Sequence, residues 1–133
     1  MTCDQINLEE EYFKGGSKSS SGKNRIVPIH PRIMPFVKKR LEKSNEYFLE
    51  NDEGSKFKKW DFYEEWKVVI AYITKKKKTP HEARHTFETF LDNAGGNRKC
   101  IDMLMGHKSK DIGNRVYNHK TVKQLRETIL LLK

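Results

Sequence analysis

The chain is poor in cysteine and has no long hydrophobic run. Cys3 and Cys100 are its two cysteines in 133 residues, too few for a disulfide framework, which points to a reducing intracellular setting. No apolar stretch approaches the roughly 20 residues that a membrane helix needs. The opening MTCDQINLEE has neither the basic nor the apolar region of a secretory signal. A cytoplasmic protein with no membrane partner is the expectation. A hydrophobic content of 35% is low for a globular domain, yet 14 aromatic residues argue against plain disorder.

Charge is plentiful and unevenly placed. The formal net charge is +9. Residues 1–13 carry four acids and no base, residues 14–40 eight bases and no acid, and residues 41–66 eight acids against four bases. Residues 67–80 then carry five bases and no acid. Such segregation produces either a positive face that attracts phosphate backbones or an ordinary solvated surface. Charge alone permits a nucleic-acid partner without requiring one.

The local patterns predict one domain, α+β and mostly α-helical. Tyr12-Phe13 and Arg25–Ile29, joined by a Gly/Ser-rich basic segment, read as a β-hairpin near the N-terminus. Pro28 assigns its second strand to an edge or an end. Pro31 to Lys43 reads as a helix with Ile33, Phe36, Val37 and Leu41 at helical spacing, and Asn51 to Ser55 as a loop. Trp60 to Ile73 reads as a second helix with a stripe of Tyr63, Trp66, Ile70 and Ile73. Thr79-Pro80-His81-Glu82 is a capping box with proline at the first helical position. It opens a helix whose expected inner face is Ala83, Phe87, Phe90, Leu91 and Ala94, ended by Gly95-Gly96. Asn97 starts a shorter helix closed by Gly106, with Cys100 facing the core near Leu104. Ser109 caps another carrying Ile112 and Val116, and Thr121-Val122-Lys123-Gln124 opens a last one with Leu125, Ile129 and Leu132 on one face. That last stripe suits packing onto its own domain.

His81-Glu82-Ala83-Arg84-His85 matches the H-E-x-x-H motif of zinc hydrolases, since imidazoles at i and i+4 share a helix face. Against zinc, the capping box occupies Glu82, no His-rich continuation follows, and the field is positive. The same segment also presents His81 and Arg84 at i and i+3. A guanidinium fork matches two phosphate oxygens, and an imidazole donates to a third. With His107, Tyr117 and Lys18, the chain holds the groups that phosphoryl transfer to a tyrosine requires. Each also has a plainer reading. Tyr117 packs beside Val116, His107 sits at a helix end, Arg84 pairs with Glu88, and Lys18 is a solvated loop cation.

Three boxes in order, His81-Glu82-Ala83-Arg84-His85-Thr86-Phe87, Leu104-Met105-Gly106-His107-Lys108-Ser109 and Arg115-Val116-Tyr117-Asn118-His119, resemble the C-terminal catalytic domain of tyrosine recombinases, the phage-integrase family. Gly16-Ser17-Lys18 with Gly22–Ile29 resembles the family's β-hairpin lysine region. The resemblance implies site-specific DNA recombination or integration through a 3′-phosphotyrosyl intermediate. Tyr117 would be the nucleophile and Arg84 the ligand of the non-bridging oxygens. His81 and His107 would donate to the same phosphate, and Lys18, or alternatively Lys23, would be the acid for the leaving 5′-oxygen. It implies double-stranded DNA as partner, other protomers on that DNA (a tetramer in the full-length protein), and no cofactor or metal. The family's other catalytic arginine lies upstream of the segment resembling Ile6-Asn7-Leu8, and no arginine precedes Arg25. A core-binding domain is also lacking, so the expectation is a fragment or a remnant that is a poor enzyme alone. One lost phosphate donor costs about 3–4 kcal/mol, a rate factor of roughly 100 to 1,000. A non-catalytic DNA-binding remnant is the alternative.

Overall fold

A computed structural model describes residues 1–16, 25–51, 53–107 and 121–133. Three short strands, β1 (Ile6–Asn7), β2 (Tyr12–Gly15) and β3 (Arg25–Pro28), form an antiparallel sheet in that order. The register sets Ile6 against Phe13, Tyr12 against Pro28 and Gly15 against Arg25. The expected hairpin is therefore β2–β3, with Pro28 ending an edge strand, where a missing N–H costs no ladder bond. Residues 17–24 at its tip, Lys18 and Lys23 among them, lie outside the described residues.

The helices are α1 (Met34–Leu41), α2 (Lys59–Ile73), α3 (Pro80–Asn93), α4 (Arg98–Met105) and α5 (Val122–Ile129). Their starts are chemical. Thr79 Oγ1 accepts the N–H of Glu82 at 3.2 Å, and Glu82 Oε2 accepts that of Thr79 at 2.8 Å. Thr121 and Gln124 reciprocate in the same way at the start of α5, and Asn97 Oδ1 accepts from Lys99 and Cys100 to open α4. These bonds satisfy N–H groups that no helical carbonyl reaches. After α3 the Gly96 N–H returns to the Leu91 carbonyl at 2.8 Å. A Cβ on Gly96 would meet that oxygen at 2.7 Å, so only glycine makes the turn.

Two clusters make the core. Leu91, Cys100, Ile101, Leu104, Met105, Leu125 and Ile129 join α3, α4 and α5, with Val27 of β3 and Phe87 packed against them. Ile6, Ile29, Met34 and Val37 seat α1 on the sheet, flanked by Phe13, Leu41 and Phe48. Each fully buried aliphatic side chain stabilises the fold by about 1.5–3 kcal/mol. The stripe of α5 is thus spent on its own domain, against α4 and β3, and His30 Nε2 ties the end of the chain by a 3.0 Å hydrogen bond with the Leu132 carbonyl.

Three expected faces need correction. In α1 Met34 and Val37 are buried with Leu41 packed beside them, while Ile33 and Phe36 are exposed, Phe36 at 72%. In α3 only Leu91 is fully buried and Phe87 half-buried; Ala83 and Ala94 are exposed and Phe90 is 59% exposed. Among the described elements, α3 makes its main contact with α4. In α2 no residue is buried. Trp66 and Ile70 are half-covered, but Tyr63 and Ile73 are exposed. The Trp66 indole N–H donates to the Lys78 carbonyl at 2.6 Å and anchors α2 to the approach of α3. The helix expected from Ser109 lies outside the described residues, among which no helix is long and apolar enough to cross a membrane.

Candidate active site

The capping box starts α3 at Pro80, which sets His81, Arg84, His85 and Glu88 on its first three turns. Arg84 is half-buried, and its Nη2 donates to the carbonyl of Met105, the last residue of α4. Beyond that carbonyl Gly106 turns into the left-handed region at φ 67°. The His107 N–H then closes back on the Asp102 carbonyl at 2.9 Å, the hydrogen bond that ends a helix in a Schellman turn. Arg84 therefore grips the chain two residues before His107, and both side chains belong to one corner of the molecule. Had α3 met α4 by its other face, the two would have been separated.

The pairing of Arg84 with Glu88 does not occur. Glu88 Oε1 accepts from Arg98 Nη2 at 2.6 Å, and the same nitrogen reaches Asp102 Oδ1 at 3.0 Å. The hydrogen bond from Arg98 holds the Glu88 carboxyl below its ordinary range, with the His107 ring adding to the effect against the opposing influence of burial. His107 Nδ1 lies 3.6 Å from Asp102 Oδ1 and 4.0 Å from Glu88 Oε1, an ion-pair distance rather than a hydrogen bond. Among the described residues no carboxylate forms an ion pair with Arg84.

His81, one turn before Arg84, is exposed. Its Nε2 is 3.0 Å from that of His85, with the rings edge-to-face at 4.5 Å. A zinc hydrolase would need Glu82 as a free base beside these rings. Instead Glu82 accepts hydrogen bonds from Lys78 at 2.9 Å and from Thr79. The Lys78 bond first, then those from Thr79, pull its carboxyl down to about 2. A carboxylate so engaged is a cap, and the H-E-x-x-H pattern here is a helix start. Glu88, Asp102 and His107 have the mutual spacing of metal ligands, within 4.8 Å. The Arg98 guanidinium, bonded to both carboxylates, already supplies the cation they hold.

One residue at this corner escaped the sequence. Arg25, the first residue of β3, is half-buried, and its Nη1 would lie 2.6 Å from a Cβ on Gly106. Burial first, and then the Arg84 charge, lower its pKa. Its Nε is buried without a hydrogen-bond partner. The signal was faint, a basic residue at the root of a basic hairpin. Of the site residues expected from sequence, Arg84 holds the carbonyl two residues before His107, and His81 lies a turn before Arg84. Tyr117, Lys18 and Lys23 lie outside the described residues.

Comparison with known proteins assigns the class. The family model described as "Phage integrase family" matches residues 1–124, so the chain belongs to that family. Among similar proteins are the tyrosine recombinase XerA of Pyrococcus furiosus, 28% identical over 97% of this chain and 46% of the relative, and XerD of Vibrio cholerae, 26% identical over 96% and 45%. XerA of Thermococcus kodakarensis is 30% identical over 93% of the chain and 45% of its own length. The chain spans about half the length of the curated relatives it matches. No solved structure matches it significantly.

Proposed function

We propose that residues 1–133 form the catalytic domain of a tyrosine recombinase, which cuts and rejoins duplex DNA through a 3′-phosphotyrosyl link. The Tyr117 oxygen attacks the phosphorus, the bond from phosphorus to the 5′-oxygen breaks, and the phenol proton passes toward His81. An ammonium group of the hairpin, Lys18 or Lys23, protonates the departing 5′-oxygen. Attack by a 5′-hydroxyl on the phosphotyrosine reverses each transfer, so bond energy is conserved and no nucleotide cofactor is consumed. Arg84 and His107 bind the non-bridging oxygens, where charge accumulates in the transition state, and a preorganised donor there is worth about 3–4 kcal/mol. Duplex DNA is the substrate, other protomers share it, and the protein works in the cytoplasm on chromosomal DNA.

The observation that carries this reading is the corner shared by Arg84 and His107, with the acids nearby bonded to Arg98 instead. A guanidinium left without a carboxylate next to an imidazole is a receptor for an anion. The test is formation of a denaturant-resistant adduct between the chain and a pool of nicked duplexes. Tyr117→Phe should abolish the adduct and leave duplex affinity nearly unchanged. An adduct that survives the substitution refutes the nucleophile; binding without any adduct favours a non-catalytic DNA-binding remnant.

A further inference from the structure

Two guanidiniums, not one, converge on the C-terminal end of α4. Arg84 Nη2 donates to the Met105 carbonyl, and Arg25 Nη1 is pressed against the adjacent Gly106. Both side chains are half-buried, and among the described residues neither has an ion-pair partner. The carbonyl end of a helix offers only about half an elementary negative charge, too little to neutralise two full positive ones. The plain structural role, a cap on α4, is already filled by Arg84 and by the Gly106 turn. Like charges gathered without an acid between them are stable when an anion completes the set.

The surroundings suit a phosphate. The Arg25 Nε–H is buried and unpaired, a costly condition for a protein donor unless a ligand uses the site. Opposite Arg25 in the sheet stands Gly15, where a Cβ would meet nothing within 4 Å. Among the described residues, the face of the sheet beside Gly15 is therefore open. Arg25 also stands at the root of the segment that carries Lys18 and Lys23, and its contact on Gly106 adjoins His107.

We propose that Arg25 is a second phosphate-binding guanidinium of this site, gripping the same DNA phosphate as Arg84. The proposal rests on the tyrosine recombinase reading for the identity of the anion's owner, but the anion site itself does not. Inorganic phosphate is the probe, titrated into the chain at constant ionic strength while the Arg25 Nε–H resonance is followed by NMR. That resonance should move and saturate. Arg25→Lys retains the charge but loses the planar fork. It should keep the wild-type circular dichroism and bind phosphate at least tenfold more weakly, whereas Arg32→Gln, on the exposed turn before α1, should bind normally. Wild-type phosphate affinity in Arg25→Lys, or a resonance indifferent to phosphate, overturns the proposal. Should Arg25→Lys fail to fold, the wild-type resonance alone decides. Phosphate binding that depends on Arg25, in a chain that never forms a DNA adduct, leaves this site standing and removes the recombinase reading.

Discussion

Glu88 on α3 accepts a 2.6 Å hydrogen bond from Arg98 at the start of α4. Because the acid is held by the neighbouring helix, it is withdrawn from Arg84 one turn away. Arg98 also reaches Asp102 at 3.0 Å and Asp92 at 3.7 Å, so three acids are drawn to a single cation on one flank. Replacing Arg98 with Ala should cost little stability, about 0.2–1 kcal/mol for exposed pairs. Its larger effect should be electrostatic: with Glu88 and Asp102 unpaired beside His107, phosphate and duplex DNA should bind more weakly. Parallel urea unfolding and phosphate titration of Arg98→Ala check this. A variant that loses stability but no affinity would reduce Arg98 to a clamp between helices.

Acid should destabilise the chain through its hydrogen-bonded carboxylates. Glu82 is lowered from the ordinary 4.5 to about 2, and Glu50 and Glu88 are lowered too. A carboxyl depressed in the folded state leaves the unfolded chain binding more protons between the two values, so stability rises with pH there. The contribution is complete above the unfolded value of 4.5 and disappears as pH falls toward about 2. Urea midpoints should be nearly flat from neutral pH to the unfolded carboxylate range and then fall. Glu82→Gln retains a capping acceptor and should make that fall shallower. An unchanged profile would mean that these hydrogen bonds persist in the unfolded chain.

Gly106 and Gly95 offer a controlled pair. Both sit at positive φ, 67° and 76°, where an alanine is strained by about 1–2 kcal/mol. A Cβ on Gly95 meets nothing within 4 Å, whereas one on Gly106 meets Arg25 Nη1 at 2.6 Å. Both alanine variants should melt several degrees lower, but only Gly106→Ala should also lose phosphate affinity, because Arg25 must move. Equal affinities in the two would show that Arg25 does not depend on the glycine.

Where one turn of chain determines the outcome, the sequence was readable. The Thr79/Glu82 and Thr121/Gln124 boxes, Asn97 and Gly106 all follow from hydrogen bonds that close within a few residues. Burial was harder to read, since an apolar residue is covered only if another element reaches it. Phe90 and Phe36 are as apolar as Leu91 and Met34, and nothing in the local pattern tells that the first two face solvent. Arg84 and His107 were singled out through family resemblance, and where they sit depends on how α3 crosses α4. Arg25 was not legible, because its interest lies in being packed on Gly106, 81 positions away in the sequence.

Helix α2 should be the most labile of the described helices. It buries no residue, and Trp60, Val68, Val69, Tyr72 and Ile73 are exposed, Tyr72 at 89%. A helix held by few buried contacts opens at small free-energy cost. Its amides should exchange with deuterium well before those of α4, whose Cys100, Ile101, Leu104 and Met105 are buried. Exchange measured by mass spectrometry on peptic fragments separates the two. Protection of α2 equal to that of α4 would mean that its apolar surface is covered in solution, by a second copy if protection rises with concentration.

Arg84→Lys isolates geometry from charge. Lysine preserves the positive charge, so the sequence-independent part of DNA affinity, set by how many phosphates are neutralised, should hardly change. The slope of log affinity against log salt should also stay the same. What is lost is the fork that grips two oxygens and, with it, the bond to Met105 that orients the group. If Arg84 acts on the transition state, adduct formation should slow by roughly 100- to 1,000-fold, with duplex binding intact. Equal losses of binding and cleavage would indicate a ground-state phosphate contact only. Unchanged cleavage would remove Arg84 from the chemistry and the corner it shares with His107 from the proposed mechanism.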